Sequence, residues 1–133
     1  MIEITQDPLL PEVAINRVRK ASKDAYGCVV TFMGLVRGSS SSGKKVLFLE
    51  YETSSQEVAR QELQRIAEEI KARWQLEDIA ICHRMGQLEV GESTLVVAIA
   101  APHRKEAFEA CQYALDRFKQ VVPMWEKEVT QSD

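Results

Sequence analysis

The sequence predicts an α+β domain on a mainly antiparallel sheet, and three observations carry that prediction. Two segments, residues 27–37 (GCVVTFMGLVR) and Ser93–Ala101 (STLVVAIAA), are dense in the β-branched and apolar residues that strands favour. Other segments space their apolar residues at three and four, the period of a helix buried along one stripe. The two kinds alternate loosely, without the regular βαβ rhythm that builds a parallel sheet. At 133 residues the chain suits one domain, 1–133, long enough for a real core.

Taken in order, Ile2-Glu3-Ile4 is a short strand and Asp7-Pro8 breaks it. Pro11, a residue favoured in a first helical turn, opens a helix through about Ser22. Residues 27–37 form the first long strand, residues 38–45 (GSSSSGKK) a loop that composition marks as flexible, and Val46–Glu52 the returning strand. Ser54 followed by Glu57 is a capping-box signal. The helix it opens places Val58, Ile66, Ile70 and Trp74 on one stripe. Ile79–Arg84 reads as a strand and residues 86–91 as a turn-rich link. Ser93–Ala101 is almost continuously apolar and is expected to be buried on both faces. The last helix carries Phe108, Cys111, Leu115 and Phe118 at steps of three, four and three, one apolar face. A rigid Pro123-Met124-Trp125 segment then turns the chain.

Composition narrows the function classes. A hydrophobic fraction of 45% is enough for folding rather than disorder. The net charge of -3 and pI near 5.5 argue against general nucleic-acid or membrane-surface binding, so basic residues must act locally, in a pocket. No apolar run approaches the roughly 20 residues of a membrane span, and Met1-Ile2-Glu3-Ile4 lacks the basic start of a secretory signal. Cys28, Cys82 and Cys111 form no C-x-x-C and sit in apolar patterns, which points to reduced core residues of a cytoplasmic protein.

Several patterns suggest chemistry. His103-Arg104 stands where a strand ends and a helix starts, a place where free backbone N–H groups and the positive helix end favour an anion. Lys119 lies at the far end of that helix, and Arg37 ends an apolar strand beside a loop, a common position for binding residues. Residues 38–45 mimic a phosphate-binding P-loop, but the last position is Lys45 rather than Ser or Thr, and a strand follows where that motif needs a helix. His83, His103 and the cysteines lack ligand-like spacing, so no metal and no cofactor are expected. A Cys82–His103 nucleophilic pair has no local signature. His83 alternates with Ile81 and Ile79, the pattern of a buried, hydrogen-bonded histidine.

In combination these segments resemble the large, catalytic subunit of molybdopterin synthase. The resemblance rests on Gly27-x-Val29-Val30-Thr31-Phe32-x-Gly34-x-Val36-Arg37, then Leu49-Glu50-Tyr51-Glu52, then His83-Arg84-x-Gly86-x-Leu88-x-Val90-Gly91-Glu92. It continues through His103-Arg104-x-x-Ala107-Phe108 and ends with Lys119-x-x-x-Pro123-x-Trp125-x-Lys127-Glu128. It implies an α/β hammerhead-like fold and a homodimer within a heterotetramer, flanked by two copies of a small ubiquitin-like sulfur carrier. The carrier's C-terminal Gly-Gly thiocarboxylate would enter a pocket and pass sulfur to cyclic pyranopterin monophosphate, forming the dithiolene of molybdopterin. By resemblance, Leu35, Val36, Arg37, His103, Arg104, Lys119, Glu126, Lys127 and Glu128 bind substrate, with His103 and Arg104 serving the neighbouring subunit's site. Lys119 is the leading catalytic candidate, as proton donor and acceptor, and Lys127 is the second.

One position departs from the family pattern. Where relatives carry a lysine directly after the tryptophan, this chain has Glu126, which should weaken anion binding and could pair with Lys119. In extended backbone the adjacent Lys127 points to the opposite face. The rival reading is therefore a non-catalytic scaffold that binds the carrier or a small anion without turnover.

Overall fold

The computed structural model describes residues 1–22 and 24–131. Its elements run β1 (Ile2–Thr5), α1 (Pro11–Ser22), β2 (Cys28–Leu35), β3 (Val46–Glu52), α2 (Gln56–Trp74), β4 (Ile79–Arg84), β5 (Gly86–Glu89), β6 (Ser93–Ala101), α3 (Arg104–Val121) and β7 (Trp125–Thr130). The strands form a four-stranded sheet ordered β1-β4-β6-β2 and a three-stranded sheet ordered β5-β3-β7. Every pairing is antiparallel except β1 with β4.

Strand β6 explains how the larger sheet is buried on both faces. Its side chains alternate: Leu95, Val97, Ile99 and Ala101 enter a core with α2 and α3, while Val96, Ala98 and Ala100 enter another with α1. Both sets are needed because helices cover both sides, and so the strand reads as an unbroken apolar run. Truncating Ile99 to Ala would cost about 2–5 kcal/mol, the usual range for opening a core cavity.

Both long helices bury most of the expected stripe, Ile66 and Ile70 in α2 and Cys111 in α3, with Trp74, Leu115 and Phe118 partly buried against the same core, and each departs from it near its start. In α2 the buried residues are Ala59, Leu63, Ile66, Ala67 and Ile70, while Val58 is exposed. The cap is Ser55 rather than Ser54: its side chain accepts from Val58 N at 3.2 Å, and Thr53 Oγ1 accepts from Ser55 N at 3.3 Å. The threonine hydroxyl places Ser55 one position later than the capping-box pattern implies. In α3 the buried face is Ala107, Ala110, Cys111 and Ala114, and Phe108 is 60% exposed. Small alanines let the helix approach β2 and β6 closely, which leaves Phe108 on the outer side.

Residues 38–45 are a hydrogen-bonded turn rather than a loose loop. Ser40 N donates to Lys44 O at 2.8 Å, Gly43 N to Ser40 O at 2.9 Å, and Ser39 bridges Lys45. Gly43, at φ 83°, supplies the left-handed residue that closes the turn. Strand β3 follows directly, so no helix end faces this turn and the P-loop reading fails. Two further strands were not expected from sequence. Residues 86–89 pair with β3 as β5, and 125–130 pair with its other edge as β7. Val36, Val46, Leu49 and Leu88 form the small core beneath this second sheet. Among the described residues no helix is long and apolar enough to cross a membrane.

Candidate active site

Lys119 opens onto a cleft of about 330 Å³ where helix α3 crosses the ends of four strands. Phe32, Gly34 and Leu35 come from β2, Tyr51 from β3, His83 from β4, and Thr94 and Leu95 from β6. Gln112, Leu115, Asp116 and Lys119 come from α3, and the 112, 116, 119 spacing puts three polar groups on one helical face. Gln112 Nε2 donates to Asp116 Oδ1 at 3.0 Å. Gly34 is required by close approach, because a Cβ there would lie 2.7 Å from Thr94 Oγ1 and 3.4 Å from the Phe32 ring. Lys119 itself is exposed and makes no ion pair among the described residues.

A line of aromatic contacts forms the back of this cleft. Tyr51 meets His83 edge-on at 4.7 Å between centroids, and His83 stacks on Phe118 at 5.1 Å. His83 Nδ1 lies 2.6 Å from Arg84 O, which selects the tautomer with the proton on Nδ1. Burial pushes the His83 imidazole down to about 4, so the ring is neutral at pH 7 and shapes the cleft without carrying charge. This is the buried, hydrogen-bonded histidine that the alternating pattern predicts.

A second cleft, about 140 Å³, adjoins the first through Leu35 and Tyr51, which line both. Its other walls are Val36, Arg37, Val46, Leu49, Glu126 and Glu128. Val36 is 4% exposed and belongs to the core beneath, so its backbone and the flank of its side chain form a floor. Its N–H donates to Glu92 O at 3.0 Å and its carbonyl accepts from Gly91 N at 2.9 Å, which fixes Arg37 one residue on. The β3–β7 register sets Tyr51 opposite Glu126, Glu50 opposite Lys127 and Leu49 opposite Glu128. Alternation therefore sends Glu126 and Glu128 into the cleft and Lys127 to the other face. Lys127 lines neither cleft, so the structure does not bring this second catalytic candidate to the site.

The Glu126 carboxylate accepts from the Tyr51 hydroxyl at 2.9 Å and makes no ion pair with Lys119. Burial, reinforced by this carboxylate, holds the Tyr51 phenol well above its ordinary range, so it donates as a neutral group. The Glu126–Lys119 pairing considered from sequence is thus replaced by a hydrogen bond from a neutral donor across the sheet.

His103 and Arg104 lie elsewhere. They line a separate cleft of about 520 Å³ with Gly27, Cys28, Pro102 and Lys105, at the N-terminal end of α3. Fifteen residues of helix separate Arg104 from Lys119, about 22 Å at 1.5 Å per residue. His103 is the N-cap residue but makes no side-chain cap bond. Cys82 is buried in the core facing α1, and burial pushes its thiol up to about 11, so a nucleophilic pair with His103 is excluded. A further groove, about 640 Å³ beside Arg19, Lys20 and Tyr26, contains none of the expected site residues.

The family model described as MoaE protein matches residues 4–121. The chain belongs to the MoaE family. It is 42% identical over 127 residues to the molybdopterin synthase catalytic subunit of Bacillus subtilis, covering 96% of this chain and 78% of that protein. The crystal structure of molybdopterin synthase from Staphylococcus aureus superposes with a TM-score of 0.88 at 33% identity, covering 99% of this chain and 93% of that one. A complex of subunits 1 and 2 of the molybdopterin-converting factor from Helicobacter pylori gives a TM-score of 0.77 at 17% identity, a likeness of fold alone, over 98% of this chain and 86% of that one.

Within this MoaE-family chain, the residues that sequence reasoning passed over are Phe32, Thr94, Gln112 and Asp116 around Lys119, and Tyr51 between the clefts. Gln112 and Asp116 carry a readable signal, since they precede Lys119 by seven and three positions on one helix face. Tyr51 stands in the Leu49-Glu50-Tyr51-Glu52 motif, but its contact with Glu126 is legible only from the β3–β7 register.

Proposed function

We propose that this chain is the catalytic subunit of a molybdopterin synthase. It transfers sulfur from the C-terminal thiocarboxylate of a small ubiquitin-like carrier to cyclic pyranopterin monophosphate, forming the dithiolene of molybdopterin. The family match over most of the chain carries this reading, and the Lys119 cleft supplies chemistry that suits it. A thiocarboxylate is already a sulfur nucleophile, so the protein has to position two anions against each other and move protons. Lys119, unpaired at the cleft, can do both. Leu35, Val36, Arg37, Glu126 and Glu128 offer a narrow approach for the tail, and Arg37 is the cation at its mouth. No metal or other cofactor enters this scheme.

The active unit in this reading is a homodimer with a carrier on each flank. Two observations support it. His103 and Arg104 sit too far from Lys119 to share its cleft within one chain, and β2 is a sheet edge with Phe32, Met33 and Leu35 exposed. A second copy would bring His103 and Arg104 to the neighbouring Lys119. The Helicobacter pylori fold relative, solved as a complex of two subunits, favours a protein partner. Reduced cysteines suit a cytoplasmic setting.

The test is reconstitution with thiocarboxylated carrier. Wild type is expected to sediment as a dimer, bind the carrier and form molybdopterin, and Lys119→Ala to lose nearly all product. A monomer that ignores the carrier would defeat this reading. Glu126, an acid where the family pattern has lysine, favours a second one: a scaffold that binds the carrier without turnover. Carrier binding with no product from wild type or Glu126→Lys would select the scaffold.

A further inference from the structure

One carboxylate, Asp116, lines the Lys119 cleft and another, Glu126, lines the cleft that adjoins it, and each is engaged by a neutral donor. Asp116, one helical turn before Lys119 and so within side-chain reach, accepts from Gln112 Nε2 at 3.0 Å. Glu126, on the far side of the shared wall, accepts from the Tyr51 hydroxyl at 2.9 Å. His83 faces the cleft from β4 and is neutral at pH 7, while β2 and β6 present only Phe32, Gly34, Leu35, Thr94 and Leu95. Lys119 is thus left without an ion pair among the described residues although Asp116 lines its cleft and Glu126 the adjoining one.

We propose that Tyr51 and Gln112 are positioning residues that hold Glu126 and Asp116 away from Lys119, keeping its ammonium unpaired for an anionic ligand. The inference deepens the reading of Lys119 as the group that meets the anions, and it rests on that reading. Hydrogen-bond chemistry explains the choice of donors. A cation in place of either would satisfy the carboxylate but add charge that competes for the same anion. A phenol and an amide satisfy it without doing so. In the β3–β7 register Tyr51 is the direct partner of Glu126, so the sheet itself aligns the pair.

Competitive acetylation of the folded protein with limiting acetic anhydride, read residue by residue by mass spectrometry, tests this without carrier or pterin. A carboxylate that closes on Lys119 favours its protonated form and slows labelling. Tyr51→Phe, which keeps the ring against His83, and Gln112→Ala should each lower Lys119 labelling about two- to fivefold, the scale of an exposed ion pair. Labelling of Lys127 should not change. Adding Glu126→Gln to the first variant and Asp116→Asn to the second should restore wild-type labelling. A purely structural defect would not be repaired by removing one charge. Unchanged Lys119 labelling in the single variants, or a decrease that neither neutralisation restores, would overturn the proposal. Because the readout needs no turnover, an inactive wild type would end the enzyme reading while leaving this result to stand or fall alone.

Discussion

The imidazole of His83 lies flat on the ring of Phe118, with the planes 5° from parallel and the centroids 5.1 Å apart. The stack joins β4 to α3 behind the Lys119 cleft, and with Tyr51 edge-on to the other side it keeps His83 almost wholly from water. Protonating that ring would place a charge in an apolar sandwich.

This gives a pH dependence with a definite sign. His83 has its pKa lowered to about 4 in the fold, against the ordinary value of 6.5. The unfolded chain therefore binds the extra proton first. The contribution is complete above pH 6.5 and is lost as pH falls toward about 4, at up to about 1.4 kcal/mol per pH unit. Urea midpoints measured from pH 7.5 to 4.5 should show this decline in wild type and a flatter curve in His83→Phe. Parallel curves would show that His83 does not set it.

Arg84 should be the most costly charged residue to remove. It is 8% exposed, its Nε donates to Gln6 O at 2.9 Å, and Nη1 meets Glu92 Oε1 at 2.9 Å. Glu92 Oε2 also accepts from Glu89 N at 2.7 Å, so one arginine ties β1 and β4 to the turn before β6. Arg84→Met is expected to lose about 2 kcal/mol, less than for a fully buried pair because Glu92 reaches water. The backbone bond from Glu89, then Arg84, hold the Glu92 carboxyl below its usual value, so this contribution is present at neutral pH and fades in acid. Equilibrium denaturation of both proteins at pH 7 and in acid checks both statements.

Arg37 and Arg104 should act on affinity rather than folding, since both side chains are exposed. Replacing either with Ala is expected to weaken pterin phosphate binding by about 1.5–3 kcal/mol, the range for a bond to a charged group. Calorimetry measures this directly. Mixed dimers test the shared site at low pterin concentration: Lys119→Ala chains, inactive alone, and Arg104→Ala chains, impaired alone, should regain activity when refolded together. One of the two sites in a mixed dimer then holds Lys119 and the partner's Arg104 intact. No recovery would place Arg104 outside the neighbouring site.

Glu126→Lys should raise turnover in the reconstituted enzyme. The change replaces a negative charge with a positive one beside two anionic reactants. The gain should shrink as salt rises, because Glu126 is exposed and open to screening. The variant also loses the acceptor for the Tyr51 hydroxyl, a bond worth about 1 kcal/mol, so its melting temperature should fall slightly. Unchanged turnover at low salt would mean position 126 does not influence the reaction.

The sequence by itself determined the local elements and the chemistry available to them. Helical and alternating apolar periods are local properties, so β1, α1, β2, β3, α2, β4, β6 and α3 were all legible, and His83 could be read as buried from its neighbours Ile79 and Ile81. Strands β5 and β7 were not, because 86–89 and 125–130 carry little apolar pattern and become strands only by pairing with the two edges of β3. That pairing is a contact between distant parts of the chain. Strand alternation already set Lys127 on the face opposite Glu126, but the pairing alone decided that Glu126 and Glu128 are the ones that enter the cleft, and that Glu126 meets Tyr51 instead of Lys119. The length of α3, by contrast, was legible, and it keeps His103 and Arg104 at one end of the helix and Lys119 at the other. Residue types fix what a site can do; which of them share one cavity is set by strand register, which is decided only when the sheet closes.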